Sequence, residues 1–568
     1  MIMDVTIKIG GQAGQGIQTV GHFLALVCRE AGLFLMAVND FESRIRGGHS
    51  FFQIRISDKP VHAPHHKVNL LIALDKKSFE IHQKEMLSEG LVLLNQAEKQ
   101  ENEQMVSIPF EELAEKAGAK ITSNTVAAGA ALGVLRAPIK LIEKTLSNQF
   151  RSKGEDILKK NVKAAELGYD AVKDITFKWG FDCKAPESEN ILIEGSHAIA
   201  LGALAGDCRL GAFYPMSPAT GIMAHLVEYS DDFPLVVEQA EDEIAAINMV
   251  IGGSFAGVRS MTATSGGGFS LMTEGLGLAA ITETPVVIVN SQRPGPATGL
   301  PTRTAQTDLH FVINASQDEF PRFVLAPGSP KEAYETMVRA FHLSEKYQVP
   351  AIVLTDQHLN DSWFIIEGGL SAPEKVERFI LKDEQIEDAF KYERFALDAS
   401  GVSPRALPCM GNAIVVASSD EHRQDGHISE SATNRIDMVD KRNSKIPDMR
   451  REMNPPEGYF TDSDFVLLGW GSTRGAVREA VDVLRSDNLN VGSFHFTDLW
   501  PFPNDAVEKN LKGKKKIIMV EQNSTAQLGW LIRQQTGIGY SEAILKYDGR
   551  PLYPNDIVKH FKEYARSS

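Results

Sequence analysis

The chain has 568 residues, too many for one hydrophobic core, and its length alone points to about three domains. With 43% hydrophobic and 23% charged residues it has the composition of an ordinary globular protein. A formal net charge of -15 argues against nucleic acid or an anionic membrane as partner, since both call for a basic surface. No apolar run reaches the length of a membrane span. The opening MIMDVTIKIGG lacks the charged stretch and apolar core of a secretion signal, so a cytoplasmic location is expected. The four cysteines, Cys28, Cys183, Cys208 and Cys409, are scattered, with no CxxC and no spacing suited to zinc or an iron–sulfur cluster. This chain is expected to hold neither.

Residues 1–181 read as a first α/β domain. Val5–Ile9 alternates like a strand and runs into Gly10-Gly11-Gln12-Ala13-Gly14-Gln15-Gly16, followed by an apolar helix over Ile17–Ala31. A glycine-rich turn opening a helix presents backbone N–H groups where the helix dipole is positive, which suits phosphate at Gly14 and Gly16. The spacing is neither the GxGxxG fingerprint nor a Walker motif, and a ligand-free strand-to-helix turn accounts for these residues as well. Arg44 and Arg46 stand beside Gly47-Gly48 ahead of a strand over Phe51–Ile56, a placement that also fits a solvated hairpin approach. Further strand and helix signals fall at Val68–Asp75 and Asn124–Leu132. His62, His65 and His66 share a Pro-containing loop with no carboxylate or thiol at helical spacing, so a solvated loop is expected there and no metal.

A polar linker is expected at 182–190, and a second α/β domain over 191–381. Short apolar runs rich in β-branched residues at Leu235–Val237 and Val286–Val289, with further strands at Leu210–Tyr214, Val258–Ala263 and Ala351–Thr355, alternate with helix-length segments, including Gly195–Gly206 and Pro330–Tyr347. That is the pattern of a doubly wound parallel sheet covered on both faces, in which ligands lie beyond the carboxyl ends of the strands. The loops to inspect are therefore Tyr214–Thr220, Glu238–Glu243, Thr264–Gly268 and Arg293–Thr304. Of the four acids Glu238, Glu241, Asp242 and Glu243, a first-turn position complementing the helix dipole accounts for Glu241 and Asp242. Glu243 shares a helical face with Ala246, Ile247, Val250 and Ser254, so it is expected to point inward. Residues 382–464 turn charged and Ser/Asp-rich without a sustained period, an extended surface linker. An α/β pattern resumes over 465–568, around Gly469-Trp470-Gly471-Ser472 and Trp500-Pro501-Phe502-Pro503.

Several ordered motifs together carry a resemblance that covers nearly the whole chain: Tyr214-Pro215-Met216-Ser217-Pro218, Glu241-Asp242-Glu243, Ala263-Thr264-Ser265-Gly266, Gly299-Leu300-Pro301-Thr302-Arg303-Thr304 and Val520-Glu521-Gln522-Asn523. The sequence resembles the alpha subunits of 2-oxoacid:ferredoxin oxidoreductases in the form with a fused gamma domain, 2-oxoglutarate enzymes in particular. It departs in having Ser217 and Met216 where the family usually has Thr and Ile. The resemblance implies a gamma-type α/β domain, then a thiamine diphosphate pyrimidine-binding domain, then a domain like the carboxyl-terminal one of transketolases. It implies Glu243 as the catalytic acid on the cofactor's pyrimidine. Tyr214, Pro215, Thr264, Ser265 and Gly266 would contact the cofactor, and Ser217, Thr302 and Arg303 the substrate. Gly14, Gly16, Arg44 and Arg46 would serve coenzyme A or the subunit interface.

No Gly-Asp-Gly segment is followed by Asn-Asn about thirty residues on, the familiar magnesium-diphosphate motif of thiamine enzymes. The resemblance assigns that half, with Mg2+ and a 4Fe–4S cluster, to a beta subunit. The implied assembly is an alpha-beta heterotetramer serving ferredoxin. The implied reaction converts a 2-oxoacid and coenzyme A to acyl-CoA and carbon dioxide. Pyruvate or another 2-oxoacid as substrate, a transketolase- or decarboxylase-type thiamine enzyme without cluster subunit, and a non-catalytic scaffold are the competing readings.

Overall fold

The computed structural model describes residues 3–42, 48–96, 104–181, 190–386 and 392–567. These residues form two compact units, one built mainly from residues 1–194 and the other from most of the remainder.

The first unit is one mixed sheet flanked by helices. Its strands are β1 (Asp4–Gln12), β2 (Phe34–Asp40), β3 (His49–Ser57), β4 (Val68–Ala73), β5 (Met86–Asn95), β6 (Met105–Ile108) and β7 (Ile191–Glu194), with one later strand at Trp363–Ile366 (β14). Among the described residues their order is β6-β5-β4-β1-β3-β2-β14-β7. The sequence reading puts Ile191–Glu194 and Trp363–Ile366 with the second domain. Instead they pair antiparallel with each other and, through Trp363↔Ala37, with β2. The helix Ile17–Glu30 lays Val20, Phe23, Leu24 and Val27 on the sheet, and Gly21 is required because a Cβ there would stand 2.2 Å from the Phe52 ring. His66 stacks on Tyr553 at 3.8 Å and bonds Asp556 at 3.0 Å. Among the described residues no cluster of three or more His, Cys, Asp or Glu is placed to hold a metal, and no helix is long and apolar enough to cross a membrane.

The second unit carries the expected parallel sheet: β8 (Cys208–Phe213), β9 (Val236–Gln239), β10 (Arg259–Thr264), β11 (Val287–Gln292), β12 (Phe323–Leu325) and β13 (Ala351–Asp356). A second sheet contains β15 (Glu457–Tyr459), β16 (Phe465–Trp470), β17 (Val491–Phe496), β19 (Lys516–Glu521) and β20 (Glu542–Leu545). The strand β18 (Asp498–Trp500) leaves this second layer to pair antiparallel with β12, so the first order reads β18-β12-β13-β11-β10-β8-β9. Strands β10, β11 and β13 are buried along their whole length; β11 and β13 open on the apolar runs Val287–Val289 and Ala351–Leu354, whereas β10 buries Arg259, Ser260 and Thr262 as well. One core joins both sheets, from Ile247, Phe269 and Ile288 to Leu468, Trp470 and Phe496. The sequence reading separates 191–381 from 465–568, whereas here they share this interior. The Val520–Asn523 motif serves the same packing: buried Glu521 accepts from Trp470 Nε1 at 3.0 Å and from the N–H groups of Leu528 and Gly529 at the start of helix Gln527–Thr536.

Residues 392–464 differ from the expected surface excursion. They contain helices Ala432–Asn443 and Ile446–Arg451 and bury Phe395, Met438 and Met449. Lys441 and Lys445 reach into the interior and clasp buried Glu283 at 2.5 and 2.6 Å. Charge at the anchoring points hides the segment from a hydrophobic-period reading. Burial alone would push the Glu283 carboxyl up, but Lys445, Lys441 and Arg394 outweigh it and hold the group well below the ordinary carboxylate range. Its folded state binds fewer protons than its unfolded state, so the stabilisation is present above the ordinary value of 4.5 and is lost as pH falls below it. Glu283→Gln keeps the side-chain size but strands two buried ammonium groups, and should cost about 3–5 kcal/mol in thermal or urea unfolding at neutral pH.

Candidate active site

Parallel strands deliver their following loops to one edge, and the four loops picked from sequence follow β8, β9, β10 and β11 there. After β9 the chain turns into helix Glu243–Phe255. Asp242 is its N-cap, its carboxylate accepting from Ala245 N at 2.7 Å, and Glu241 is exposed just ahead of it, so the two acids stand before the first turn in which the sequence reading puts them, and Glu243 is the acid of that turn. Glu243 is 3% exposed, turned inward as its helical face demands.

After β10 comes helix Gly266–Ile281, with Ser265 in the N-cap position but making no side-chain cap bond. A Cβ on Gly268 would lie 2.0 Å from Thr264 Oγ1 and 2.5 Å from Glu243 Oε1, so the carboxylate, the threonine hydroxyl and the bare backbone of Gly268 meet at one point. Thr264 stands opposite Asn290 in the β10–β11 ladder. Glu243 Oε1, Thr264 Oγ1, Ser265 Oγ and Asn290 Oδ1 are all buried, and none has a hydrogen-bond partner among the described residues. Buried polar atoms are nearly always paired, and four neighbours left without partners mark a place built for a polar ligand. A flat heteroaromatic ring bearing an amino group fits this donor and acceptor set, with glycine backbone letting it approach. The aminopyrimidine of thiamine diphosphate is such a ring.

Asp308 closes the far side of this helix start. A Cβ on Gly266 would meet its Oδ2 at 2.4 Å, Asn290 Nδ2 donates to the same oxygen at 3.2 Å, and burial pushes the Asp308 carboxyl up. Sequence reasoning missed Asp308 and Asn290. The available signal for Asn290 was a polar residue closing the apolar run Val286–Val289.

The substrate candidates lie further out. Tyr214, Pro215 and Ser217 are exposed on the loop after β8, with a cis peptide at Ser217-Pro218. That loop is held from behind: Arg293 Nη1 donates to the Ser217 carbonyl at 2.7 Å and Asn360 Nδ2 to that of Pro218 at 3.2 Å. Thr302 is buried and Arg303 half-buried, its stem packed beside Gly549. The next residue, Thr304, is tied through its N–H to the Gly549 carbonyl at 3.3 Å. Beneath them Asp356, pushed up to about 6 by burial, takes the Ser472 hydroxyl and the Leu359 N–H and so fastens the end of β13 to the second sheet.

In the first unit, Gly14 and Gly16 adopt left-handed backbone at φ 94° and 77°. Gly16 has a packing reason, because a Cβ there would fall 1.8 Å from Asn124 Nδ2, whereas Gly14 is exposed with open space beside it. Arg44 and Arg46 lie outside the described residues.

Comparison with known proteins agrees along the whole length. Residues 6–171 match the family model "Pyruvate ferredoxin/flavodoxin oxidoreductase". Residues 201–441 match "Pyruvate flavodoxin/ferredoxin oxidoreductase, thiamine diP-bdg", which therefore reaches into the 392–464 segment. Residues 463–557 match "Pyruvate:ferredoxin oxidoreductase core domain II". A 2-oxoacid:ferredoxin oxidoreductase subunit alpha from Sulfolobus sp is 32% identical over 98% of this chain and 96% of its own. A 2-oxoglutarate synthase subunit KorA from Methanothermobacter marburgensis is 31% identical over 65% of this chain and 98% of its own. The solved 2-oxoglutarate:ferredoxin oxidoreductase from Magnetococcus marinus, with 2-oxoglutarate, coenzyme A and succinyl-CoA bound, superposes with a TM-score of 0.91 at 31% identity, covering 99% of each chain. The chain belongs to the 2-oxoacid:ferredoxin oxidoreductases, as an alpha subunit with a thiamine diphosphate-binding domain.

Proposed function

We propose that this subunit, with a beta subunit, oxidatively decarboxylates 2-oxoglutarate with coenzyme A, giving succinyl-CoA and carbon dioxide and passing two electrons to ferredoxin. The assembly is an alpha-beta heterotetramer in the cytoplasm, and the beta subunit supplies Mg2+, the diphosphate site and a 4Fe–4S cluster. The observation that carries the reading is the buried Glu243 carboxylate, whose Oε1 is unpartnered among the described residues beside Thr264, Ser265 and Asn290. When bound, thiamine diphosphate supplies the electron sink that decarboxylation of a 2-oxoacid needs and no side chain offers. Glu243 holds a proton at the pyrimidine ring nitrogen, a task for a buried carboxylate. Thr264, Ser265 and the glycines after them form the wall on which the ring rests, with Tyr214 and Pro215 at its outer edge. Ser217, Thr302 and Arg303 orient the substrate's C1 carboxylate. Gly14, Gly16, Arg44 and Arg46 serve coenzyme A or the interface with the partner. The names of the Methanothermobacter and Magnetococcus relatives support 2-oxoglutarate over pyruvate.

The test is an assay of the chain co-purified with its partner subunit, using coenzyme A, a viologen acceptor and a panel of 2-oxoacids. The expected order places 2-oxoglutarate first in kcat/KM. A complex that preferred pyruvate would overturn the substrate, and one that reduced viologen with no 2-oxoacid would overturn the function. In the same complex Gly268→Ala should lower kcat on the order of a hundredfold, because the methyl must push aside Thr264 or Glu243 and shift the ring seat. Steady-state kinetics with circular dichroism to confirm folding would check it.

A further inference from the structure

Parallel strands β1 and β4 deliver the glycine-rich turn at 10–16 and the helix Lys76–His82 to one edge of the first sheet, and β3 begins at that edge with His49, opposite Gln12. Ala13 N–H donates to the Gly48 carbonyl at 3.4 Å, so the turn and His49 lie side by side. A Cβ on Gly10 would meet the His82 ring at 3.3 Å and the His49 ring at 3.5 Å, so both imidazoles stand against bare backbone.

A relay of three groups starts at His49. Its Nε2 lies 2.7 Å from His82 Nε2, and His82 Nδ1 lies 3.1 Å from Glu85 Oε2, which also accepts from the Nζ of buried Lys8. Burial alone would push the Glu85 carboxyl up, but His82 and Lys8 outweigh it and hold the group at about 2, so it is ionised and can only accept. His82 Nδ1 therefore carries a hydrogen. With His82 neutral its Nε2 is bare, so His49 Nε2 must be the donor between the two rings, and the free lone pair of His49 is left on Nδ1. That nitrogen has no hydrogen-bond partner among the described residues, and the ring is half-buried. Burial first, then His82 and Lys77, hold the His49 imidazole below its ordinary value of 6.5 against the pull of Asp75 and Asp40, so the ring is neutral near pH 7. Phe51 closes the far side, edge-on to His82 at 5.2 Å.

We propose that His49 is a general base of the first unit, its Nδ1 taking the proton of the coenzyme A thiol, with His82 and Glu85 as positioning residues that fix its tautomer. This rests on the reading of coenzyme A as co-substrate given above. A neutral imidazole with a bare nitrogen offers nothing to a phosphate, whereas the thiol is the group of coenzyme A that becomes a nucleophile by losing a proton. The S–H bond breaks, the proton passes to His49 Nδ1, and the electron pair stays on sulfur as the thiolate that takes the acyl group. An unassisted thiol of pKa about 8.5 is only about 3% ionised near pH 7, so a base has work to do there.

The experiment compares wild type, His49→Gln and His82→Gln in the co-purified complex, reading kcat/KM for coenzyme A across pH together with C2 proton exchange of bound thiamine diphosphate, a step that needs no coenzyme A. In His49→Gln the coenzyme A value should fall on the order of a hundredfold at about pH 7, and the deficit should shrink roughly tenfold or more by about pH 9, where the thiol ionises unaided. His82→Gln should show a smaller loss with the same recovery, and C2 exchange reports the folded, assembled fraction of each variant. Independently of turnover, carbethoxylation of His49 by diethyl pyrocarbonate, mapped by mass spectrometry, should be slowed by coenzyme A. A loss that stayed constant with pH would make His49 a packing or binding residue and overturn the proposal, as would no loss, no protection, or an equal loss of C2 exchange. A wild-type complex whose turnover ignored coenzyme A would instead bring down the parent reading, and this one with it.

Discussion

Replacing Glu243 by glutamine should leave the subunits assembled and slow C2 proton exchange of bound thiamine diphosphate by about a hundredfold or more, the scale of a lost general acid–base group. The amide is nearly isosteric and sits in the same cradle against Gly268 and Thr264, so the ring seat is preserved. What is lost is a carboxyl able to hold a proton at the pyrimidine nitrogen. Exchange followed by proton NMR after acid quench reads this step before any 2-oxoacid is present, which separates it from substrate binding. Exchange at the wild-type rate would remove Glu243 from the mechanism.

Arg303→Lys should lower kcat/KM by roughly thirty- to a thousandfold, equivalent to about 2 to 4 kcal/mol, and by the same factor for every 2-oxoacid. The C1 carboxylate has to be gripped for orientation, yet it departs as neutral carbon dioxide, so the hold is shared with a neutral donor such as Ser217. Arginine offers two parallel N–H bonds to a planar anion, whereas lysine offers a mobile point charge. The loss is uniform because every 2-oxoacid shares the C1 carboxylate. If Arg303→Lys instead changed the preference between 2-oxoglutarate and pyruvate and spared pyruvate, Arg303 would be the one reading the distal carboxylate.

The parts of the fold that sequence conveyed are those in which chemistry repeats along the chain. Strands β11 and β13 are buried along their length and open on the apolar runs Val287–Val289 and Ala351–Leu354, and the helix at Pro330–Tyr347 has its Ser329 cap and Pro330 start in plain view. The inward turn of Glu243 was legible because Ala246, Ile247, Val250 and Ser254 fall on the same helical face. Asn290, Asp308 and Asn360 were not legible, since they come together through the crossover order β13-β11-β10-β8-β9 and no local spacing encodes that. The 392–464 segment failed for a different reason. Its anchors are Lys441 and Lys445 on Glu283, and buried charge carries no hydrophobic period. Thr302 and Ser217 were named through family resemblance, and their environments diverge: Thr302 is buried while Ser217 is exposed on a loop pinned by Arg293.

The most direct measurement is an experimental structure of the chain with its partner subunit and thiamine diphosphate. The account predicts a Glu243 carboxylate oxygen within about 2.6–3.2 Å of the pyrimidine ring nitrogen, with Thr264, Ser265 or Asn290 bonded to the ring's other polar atoms. A pyrimidine seated elsewhere, with Glu243 Oε1 bonded to protein or water alone, would contradict it.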